Sequence, residues 1–401
     1  MMHFEECFKR INVFLKLIGL SIDNDDHNKT MVQRLRKHWM CFIHFFSFNI
    51  LVLGEIIWLI QGLIYGVTLW EITYLTPCLT LCFLGNFKVY FFLRHMHHVS
   101  ELVKALRQLH SSIKETDEGM ADEAKKWLLF LTSISNLILL LFILGATAFA
   151  LGPFVISGSH YYTTGEIKLF VPFLIWYPFD PFDIRIWPFV YLNQLWAAWV
   201  AIFSVYGPDC FFFTCCTFIQ IQFLKLQHDM ETMVKEGSRD REESTKNTFK
   251  ADLVDIVNKH RELMRCVDLL ETIFSKSTLL NVMTSSLIIC AAGFNLMAIK
   301  NLALMAPFTS FLTFGFSQIF FHCYYGDYIM RSSMGVGDAV YNSRWYETGA
   351  AERKYLLIVL LRSQKPCRLT AYGFTDINLR AYTRILSTSW SYFALLKQMY
   401  N

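Results

Sequence analysis

Charge is what this sequence has least of. Asp, Glu, Lys and Arg make up 17% of its 401 residues, against 54% hydrophobic and 16% aromatic. That balance excludes a soluble globular domain and makes the bilayer the solvent for most of the chain. The formal net charge is only +4, too small for nucleic acid to be an expected partner, so the placement of basic residues matters more than their number. Other absences narrow the reading. The first 38 residues carry Lys9, Arg10, Lys16, Lys29, Arg34, Arg36 and Lys37 before any long apolar run. They do not read as a cleavable signal peptide, and the first span is expected to act as its own insertion signal. No internal repeat is visible, which weighs against an inverted-repeat transporter. No paired acid and base stands out, so no enzyme activity is expected.

Metal and cofactor signals are equally thin. His95, His97 and His98 cluster beside Arg94 at the expected cytosolic end of a span, a place where a solvated face is the plainer reading than a metal site. Gly335-Val336-Gly337 lacks the preceding strand and third glycine of a dinucleotide loop and reads as a turn. Asp180 and Asp183 lie among prolines without metal-ligand spacing. No cofactor is expected.

What is present is a set of apolar runs long enough to cross a hydrocarbon core about 30 Å thick. Seven can be traced, at 40–64, 72–93, 127–156, 186–224, 271–299, 302–325 and 379–399. The expected fold class is therefore an all-α membrane protein of seven transmembrane helices. Cytosolic loops keep an excess of Lys and Arg. Six lie in 94–126, nine in 225–270 and seven in 326–368, whereas 65–71 has none, 157–185 has Lys168 and Arg185, and the turn after the fifth span has Lys300. This asymmetry puts the N-terminus in the cytosol and the C-terminus outside, opposite to a G-protein-coupled receptor. None of the eleven cysteines falls in the long outer segment 157–185, so no outer disulfide framework is expected. Asn28-Lys29-Thr30 has the form of a glycosylation acceptor but would lie in the cytosol and stay unmodified.

No Pro or Gly interrupts 238–292, and none follows Pro208 until Gly237. Helices there are expected to overhang the bilayer by roughly 30–40 Å for a couple of dozen extra residues and to pack with 94–126 into a cytosolic stalk. The charge-dense 225–271 stretch fits a solvated hairpin or a subunit contact. Near the start of the chain, Ile11, Phe14, Leu15 and Ile18 recur at helical spacing beside Lys9, Arg10 and Lys16. They suit a helix in the cytosolic interface or one packed on a cytosolic bundle.

Ionisable residues inside spans raise a functional question by default. Glu55, Lys88 and Asp209 are such residues; Lys88 is placed to snorkel to the cytosolic face, and Glu55 and Asp209 read as buried partners or as functional groups. The outer halves of several spans are aromatic with interspersed polar groups, as in apolar pockets for small organic ligands. Tyr74, Cys78, Thr147, Phe149, Phe189, Tyr191, Gln194 and Trp199 are the candidate ligand-binding residues, against ordinary packing and an interfacial aromatic belt. The 157–185 segment, with Tyr161, Tyr162, Trp176 and Tyr177, either roofs that cavity or lies on the interface.

The last span has too many small polar groups for a plain lipid anchor. At 100° per residue, Thr388, Ser391, Leu395, Gln398 and Met399 share an arc of about 100°, alternating polar rings with apolar collars. In a symmetric assembly such a face would line a pore that closes by dewetting; burial against neighbouring helices is the alternative.

These residues carry a resemblance. Gln364-Lys365-Pro366-Cys367-Arg368-Leu369-Thr370-Ala371, then Tyr382-Thr383-Arg384-Ile385-Leu386 and Thr388-Ser389-Trp390-Ser391-Tyr392-Phe393-Ala394-Leu395-Leu396, resemble the C-terminal signature of insect odorant receptors. Ser332-Ser333 through Ala339, Tyr341, Ser343, Trp345 and Tyr346 resemble the cytosolic stretch before it, and Tyr177-Pro178-Phe179-Asp180 with Gln194 the start of the family's fourth span. The resemblance implies an odorant-gated, non-selective cation channel in the plasma membrane of olfactory sensory neurons. In it a divergent tuning subunit, rather than the co-receptor, joins a common co-receptor in a heterotetramer and binds a small volatile. It also implies that the last helix lines the pore, with the gate at Leu395 and Met399 and a polar position at Gln398, and that cytosolic helices form the anchor between subunits. Trp390 departs from the family's smaller aromatic, and Arg380 and Arg384 share the pore-side face. Ser391-Tyr392 with Gln398 also approximates the ending of gustatory receptors. The expected organisation is a cytosolic segment (1–38), spans one to four with the outer-leaflet cavity (39–224), a cytosolic extension (225–270), spans five and six (271–325), a cytosolic anchor segment (326–368) and the pore span (369–401).

Overall fold

The computed structural model describes residues 4–22, 39–66, 69–111, 118–234, 243–299 and 302–400. Asn28 and most of the basic N-terminal stretch lie outside the described residues, as does the side chain of Met399. The chain is all-helical, with α1 (Phe4–Leu17), α2 (Trp39–Tyr65), α3 (Leu69–Arg94), α4 (Met96–Ser111), α5 (Glu118–Thr164), α6 (Trp187–Thr232), α7 (Glu243–Ala298), α8 (Leu302–Asn342), α9 (Ala350–Ser363) and α10 (Leu379–Tyr400). Among the described residues no strand forms; Thr370 and Asp376 make an isolated antiparallel bridge. The seven expected spans fall on α2, α3, α5, α6, α7, α8 and α10. On length and composition, α2, α3, α5, α6 and α7 are apolar enough to cross a membrane. The helices α8 and α10 hold the sixth and seventh positions with more polar surfaces.

The helix α6 is the axis of the bundle. Every residue from Ser204 to Phe223 is buried, as expected for a helix that is apolar all round, and α1, α2, α3, α4, α5, α7 and α8 all pack on it. By contrast α2 is peripheral. Its Phe42, Ile43, Phe46, Ile50, Leu53, Ile60, Leu63 and Ile64 are exposed, forming the belt that lipid covers. Prolines inside α3, α5, α6 and α8 (Pro77, Pro153, Pro208, Pro307) are tolerated because neighbouring helices and hydroxyl side chains satisfy the freed backbone groups.

The helix α7 is far longer than a span requires. At 1.5 Å per residue the 56 residues of α7 extend about 84 Å, far beyond a hydrocarbon core of about 30 Å. Its cytosolic part packs on α4, with Arg265 paired to Glu101. The charged faces of α4 and α7 point outward while Val99, Leu102, Leu106, Leu263 and Cys266 are buried between them, which is what makes helices of this length stable.

Of the two readings of the first helix, the packed one holds. Phe4, Cys7, Phe8, Ile11 and Leu15 of α1 are buried, and Leu15 seats on Gly207, where an added Cβ would come within 2.8 Å of its Cδ2. Arg107 of α4 ties the same helix to Glu5 at 2.7 Å.

The expectation of a turn at Gly335-Val336-Gly337 is corrected: these residues continue α8 to Asn342. The glycines serve close packing instead. A Cβ at Gly335 would meet Gln227 Nε2 at 2.7 Å, and one at Gly337 would meet Ser363 Oγ at 2.6 Å. Ends of α6, α8 and α9 therefore converge here, with Gln227 Nε2 donating to the Ser332 carbonyl at 2.7 Å.

The signature segment 364–378 is a tight hairpin lashed to this junction. Cys367 N–H donates to Ser333 Oγ at 3.0 Å. Thr370 N–H donates to Glu271 Oε2 at 2.8 Å, its hydroxyl donates to the other carboxylate oxygen, and Tyr372 N–H donates to Ser275 Oγ at 3.0 Å. The hairpin turns at Tyr372 and Gly373, both with positive φ. It presses on Gly326 so closely that a Cβ there would sit 2.1 Å from the Ile377 carbonyl oxygen. The start of α10 is thus fixed to α7 and α8 together.

Candidate ligand cavity and ion path

Beneath the segment 165–186 the bundle opens into a cavity of about 790 Å³, counting the part open to the outside. Its walls are the outer halves of α2, α3, α5, α6 and α8, with Leu51, Leu81, Phe142, Ala201 and Phe314 typical of the lining. A wall this apolar, with a few polar groups set into it, has the chemistry of sites for small organic ligands.

The segment above it forms a roof. Phe173 and Ile175 face the cavity, and Phe173 stacks on Phe149 with ring centroids 5.1 Å apart. Gln194 pins the roof from below: its Oε1 accepts the Phe173 N–H at 3.0 Å, and its Nε2 donates to the Phe173 carbonyl at 3.3 Å and to the Tyr177 hydroxyl at 3.2 Å. Farther along, Trp176 N–H donates to the Gly54 carbonyl at 3.1 Å, and Trp187 Nε1 donates to the Phe170 carbonyl at 2.9 Å. Gly54 is required at this crossing, since a Cβ would lie 2.6 Å from Ile175 Cγ2. The aromatic residues Tyr161 and Tyr162 stay exposed and take no part.

Of the eight candidate ligand residues, Cys78, Phe149 and Gln194 line this cavity. Tyr74 packs its ring on Phe308 at 5.2 Å, outside the lining. Tyr191 is buried with its hydroxyl on the Ala150 carbonyl. Thr147 points outward and bonds its own helix at Ile143. Phe189 and Trp199 are exposed, where lipid reaches them. Sequence reasoning missed Phe173, Ile175 and the small-residue wall of Gly145, Ala146, Ala197, Ala198 and Ala201. Aromaticity drew attention to bulky residues, whereas a cavity needs small ones.

The ionisable residues inside the spans divide. Glu55 lines the cavity and is 4% exposed, with Oε2 lacking any hydrogen-bond partner. Lys88 does not snorkel. It turns into the bundle and pairs with Asp209, because that carboxylate is the nearest group able to satisfy it. Gln318 Nε2 donates to the other Asp209 oxygen at 2.8 Å, and His322 Nε2 stands 3.4 Å from Asp209 Oδ1 while its ring stacks on Phe212 at 5.0 Å. This network joins α3, α6 and α8 below the cavity floor. Among the described residues no group of three or more His, Cys, Asp or Glu side chains is placed to hold a metal, and His97 approaches Glu101 at 3.9 Å on the surface.

The last helix, α10, packs on α7 and α8 through Ala381, Ile385 and Ser389, which are buried. Its other face is open: Thr388, Ser391, Leu395 and Gln398 are all exposed. Arg380 and Arg384 are exposed on the same helix nearer the cytosol, and Trp390, 70% exposed, leans on Phe393 with centroids 5.2 Å apart. A single chain therefore leaves Thr388, Ser391, Leu395 and Gln398 uncovered.

The family described as 7tm odorant receptor matches residues 69–390. The chain is 25% identical over 401 residues to putative odorant receptor 92a of Drosophila melanogaster, covering 99% of this chain and 96% of that one. It is 25% identical over 395 residues to odorant receptor 67c of the same organism, covering 97% and 94%. The solved olfactory receptor OR5 of Machilis hrabei in complex with eugenol superposes with a TM-score of 0.82 at 17% identity, over 99% of both chains.

Proposed function

The chain belongs to the 7tm odorant receptor family, and from that premise we propose that it is the odorant-binding subunit of a ligand-gated, non-selective cation channel. The roofed apolar cavity is the observation that carries this reading. A small volatile fills it, and binding favours the open arrangement over the closed one, so that the last helices move outward by population shift. Four α10 helices, from this chain and a common co-receptor, surround the ion path. Thr388, Ser391 and Gln398 form its polar rings, and Leu395 with Met399 the apolar gate. Of the candidate ligand residues, Cys78, Phe149 and Gln194 touch the volatile or hold the roof over it, whereas Tyr74, Thr147, Phe189, Tyr191 and Trp199 stand behind or outside that wall. The site of action is the plasma membrane of olfactory sensory neurons.

Several observations support this reading. The eugenol complex is of a protein with the same fold. The hairpin 364–378 couples α10 to α7 and α8, which gives movement of cavity walls a path to the gate. Co-expression with the co-receptor, in cells given no added G protein, is expected to yield volatile-evoked cation current. Ala201→Trp, which fills the cavity, is expected to abolish the response with surface expression intact. Current that appears only when a G protein is supplied would sink the reading.

A further inference from the structure

Among the described residues, the cavity lining contains five side chains with polar atoms: Glu55, Cys78, Cys82, Gln194 and Ser310. Their capacities differ. Gln194 spends its carbonyl and both amide hydrogens on the roof. The Ser310 hydroxyl donates to the Ala306 carbonyl at 3.1 Å. The two thiols are weak partners. Glu55 alone combines a strong acceptor with an unmet demand: it is 4% exposed, and Oε2 has no hydrogen-bond partner. No Lys, Arg or His lines the cavity to compensate it.

Glu55 is also held in place. It follows Gly54, whose carbonyl accepts the Trp176 N–H at 3.1 Å and whose missing side chain lets the roof close. The carboxyl therefore sits at the seam between α2 and the roof, in a wall that is mostly apolar. A polar group buried without a partner is costly, and a ligand that brings the missing hydrogen relieves the cost. An amine can answer the carboxyl as an ion pair and an alcohol can both donate to it and accept from it, whereas an ether can only accept and leaves the acceptor oxygen unmet, the condition under which a site discriminates.

We propose that Glu55 recognises the polar end of the ligand, and that the cavity takes small, mainly apolar volatiles bearing one hydrogen-bond donor, either a basic amine or a neutral N–H or O–H. This rests on the reading of the cavity as the odorant site. It makes donor chemistry, rather than size, the main axis of tuning.

The test uses matched probes on the chain co-expressed with the co-receptor: 2-phenylethylamine, 2-phenylethanol, and the methyl ether of 2-phenylethanol, which accepts but cannot donate. Wild type is expected to respond to the donors at concentrations about tenfold or more below the ether, the size of a hydrogen bond to a charged or buried group. Glu55→Leu should bring donors and ether to within about twofold while surface expression is unchanged. Glu55→Gln separates the two sources: loss of the amine preference alone assigns an ion pair, and retention of both assigns a neutral hydrogen bond. Equal potency of alcohol, amine and ether in wild type overturns the proposal, as does a donor preference that survives in Glu55→Leu. If no probe evokes current, ligand-induced thermal stabilisation of the purified chain by the same probes decides. Stabilisation that does not depend on the donor, or on Glu55, overturns the assignment.

Discussion

At the scale of single residues, the chain keeps two kinds of buried ionisable group for opposite reasons. Glu55 faces a space, whereas Lys88 and Asp209 face each other. Removing one member of a buried pair leaves an uncompensated charge at a cost of about 3–5 kcal/mol, while replacing both with apolar residues is often neutral. Asp209→Leu is thus expected to reduce the thermal midpoint and surface yield sharply, and Lys88→Met combined with it to restore most of the loss. Losses that simply add in the double variant would mean the pair is not coupled. A second residue sets an acid limit. His260, on the cytosolic part of α7, has its pKa lowered from 6.5 to about 4 by burial, with the Arg362 charge adding to the effect. Folded His260 stays neutral while the unfolded chain takes up a proton below 6.5, so its contribution to stability is whole above that pH. It drains away as pH falls from 6.5 towards about 4. Thermal midpoints measured across that window should fall less steeply for His260→Gln than for wild type; parallel curves would remove His260 from the account.

At the scale of elements, α10 shows how far a sequence can be read. The arc of Thr388, Ser391, Leu395 and Gln398 follows from a 100° step alone, and those side chains are indeed left exposed together. If Leu395 is the collar that closes the path, Leu395→Ala should raise ligand-independent current, measured as leak without odorant. Unchanged leak at normal surface expression would move the gate elsewhere. Helical spans, their order and their cytosolic overhang were legible because hydropathy and the absence of breakers are local properties. The cavity was legible only in part. Gln194, Cys78 and Phe149 stand in its wall, but Thr147, Phe189 and Trp199 lie on the lipid side of their helices. In a span that is apolar all round, periodicity does not distinguish a face toward lipid from a face toward a cavity. The same limit hid the direction of Lys88, since the partner that turns it inward is 121 positions away. Gly335-Val336-Gly337 failed for a different reason. Glycine pairs signal turns in isolation, yet here two helices cross closely enough to need them.

At the scale of the whole molecule, the inverted orientation ties these parts into one device. With the N-terminus inside, α10 runs outward, so Leu395 and Gln398 lie toward its outer end, at the same side of the membrane as the roofed cavity. The hairpin at 364–378 then lies at the cytosolic end, where α7, α8 and α10 are bonded together. If the cavity holds the ligand and Leu395 is the gate, a helix fixed at its inner end and free at its outer end lets a ligand near the outside move a gate near the outside. Were the orientation reversed, the gate and cavity would face the cytosol and airborne ligands would have to cross the membrane first. An epitope tag at Met1 is therefore expected to bind antibody only after permeabilisation, and a tag after Asn401 to bind it on intact cells. Asn28 should carry no glycan, because its acceptor sequence never enters the secretory lumen. A glycosylated Asn28, or a Met1 tag visible on intact cells, would overturn the orientation and with it the placement of both the gate and the anchor.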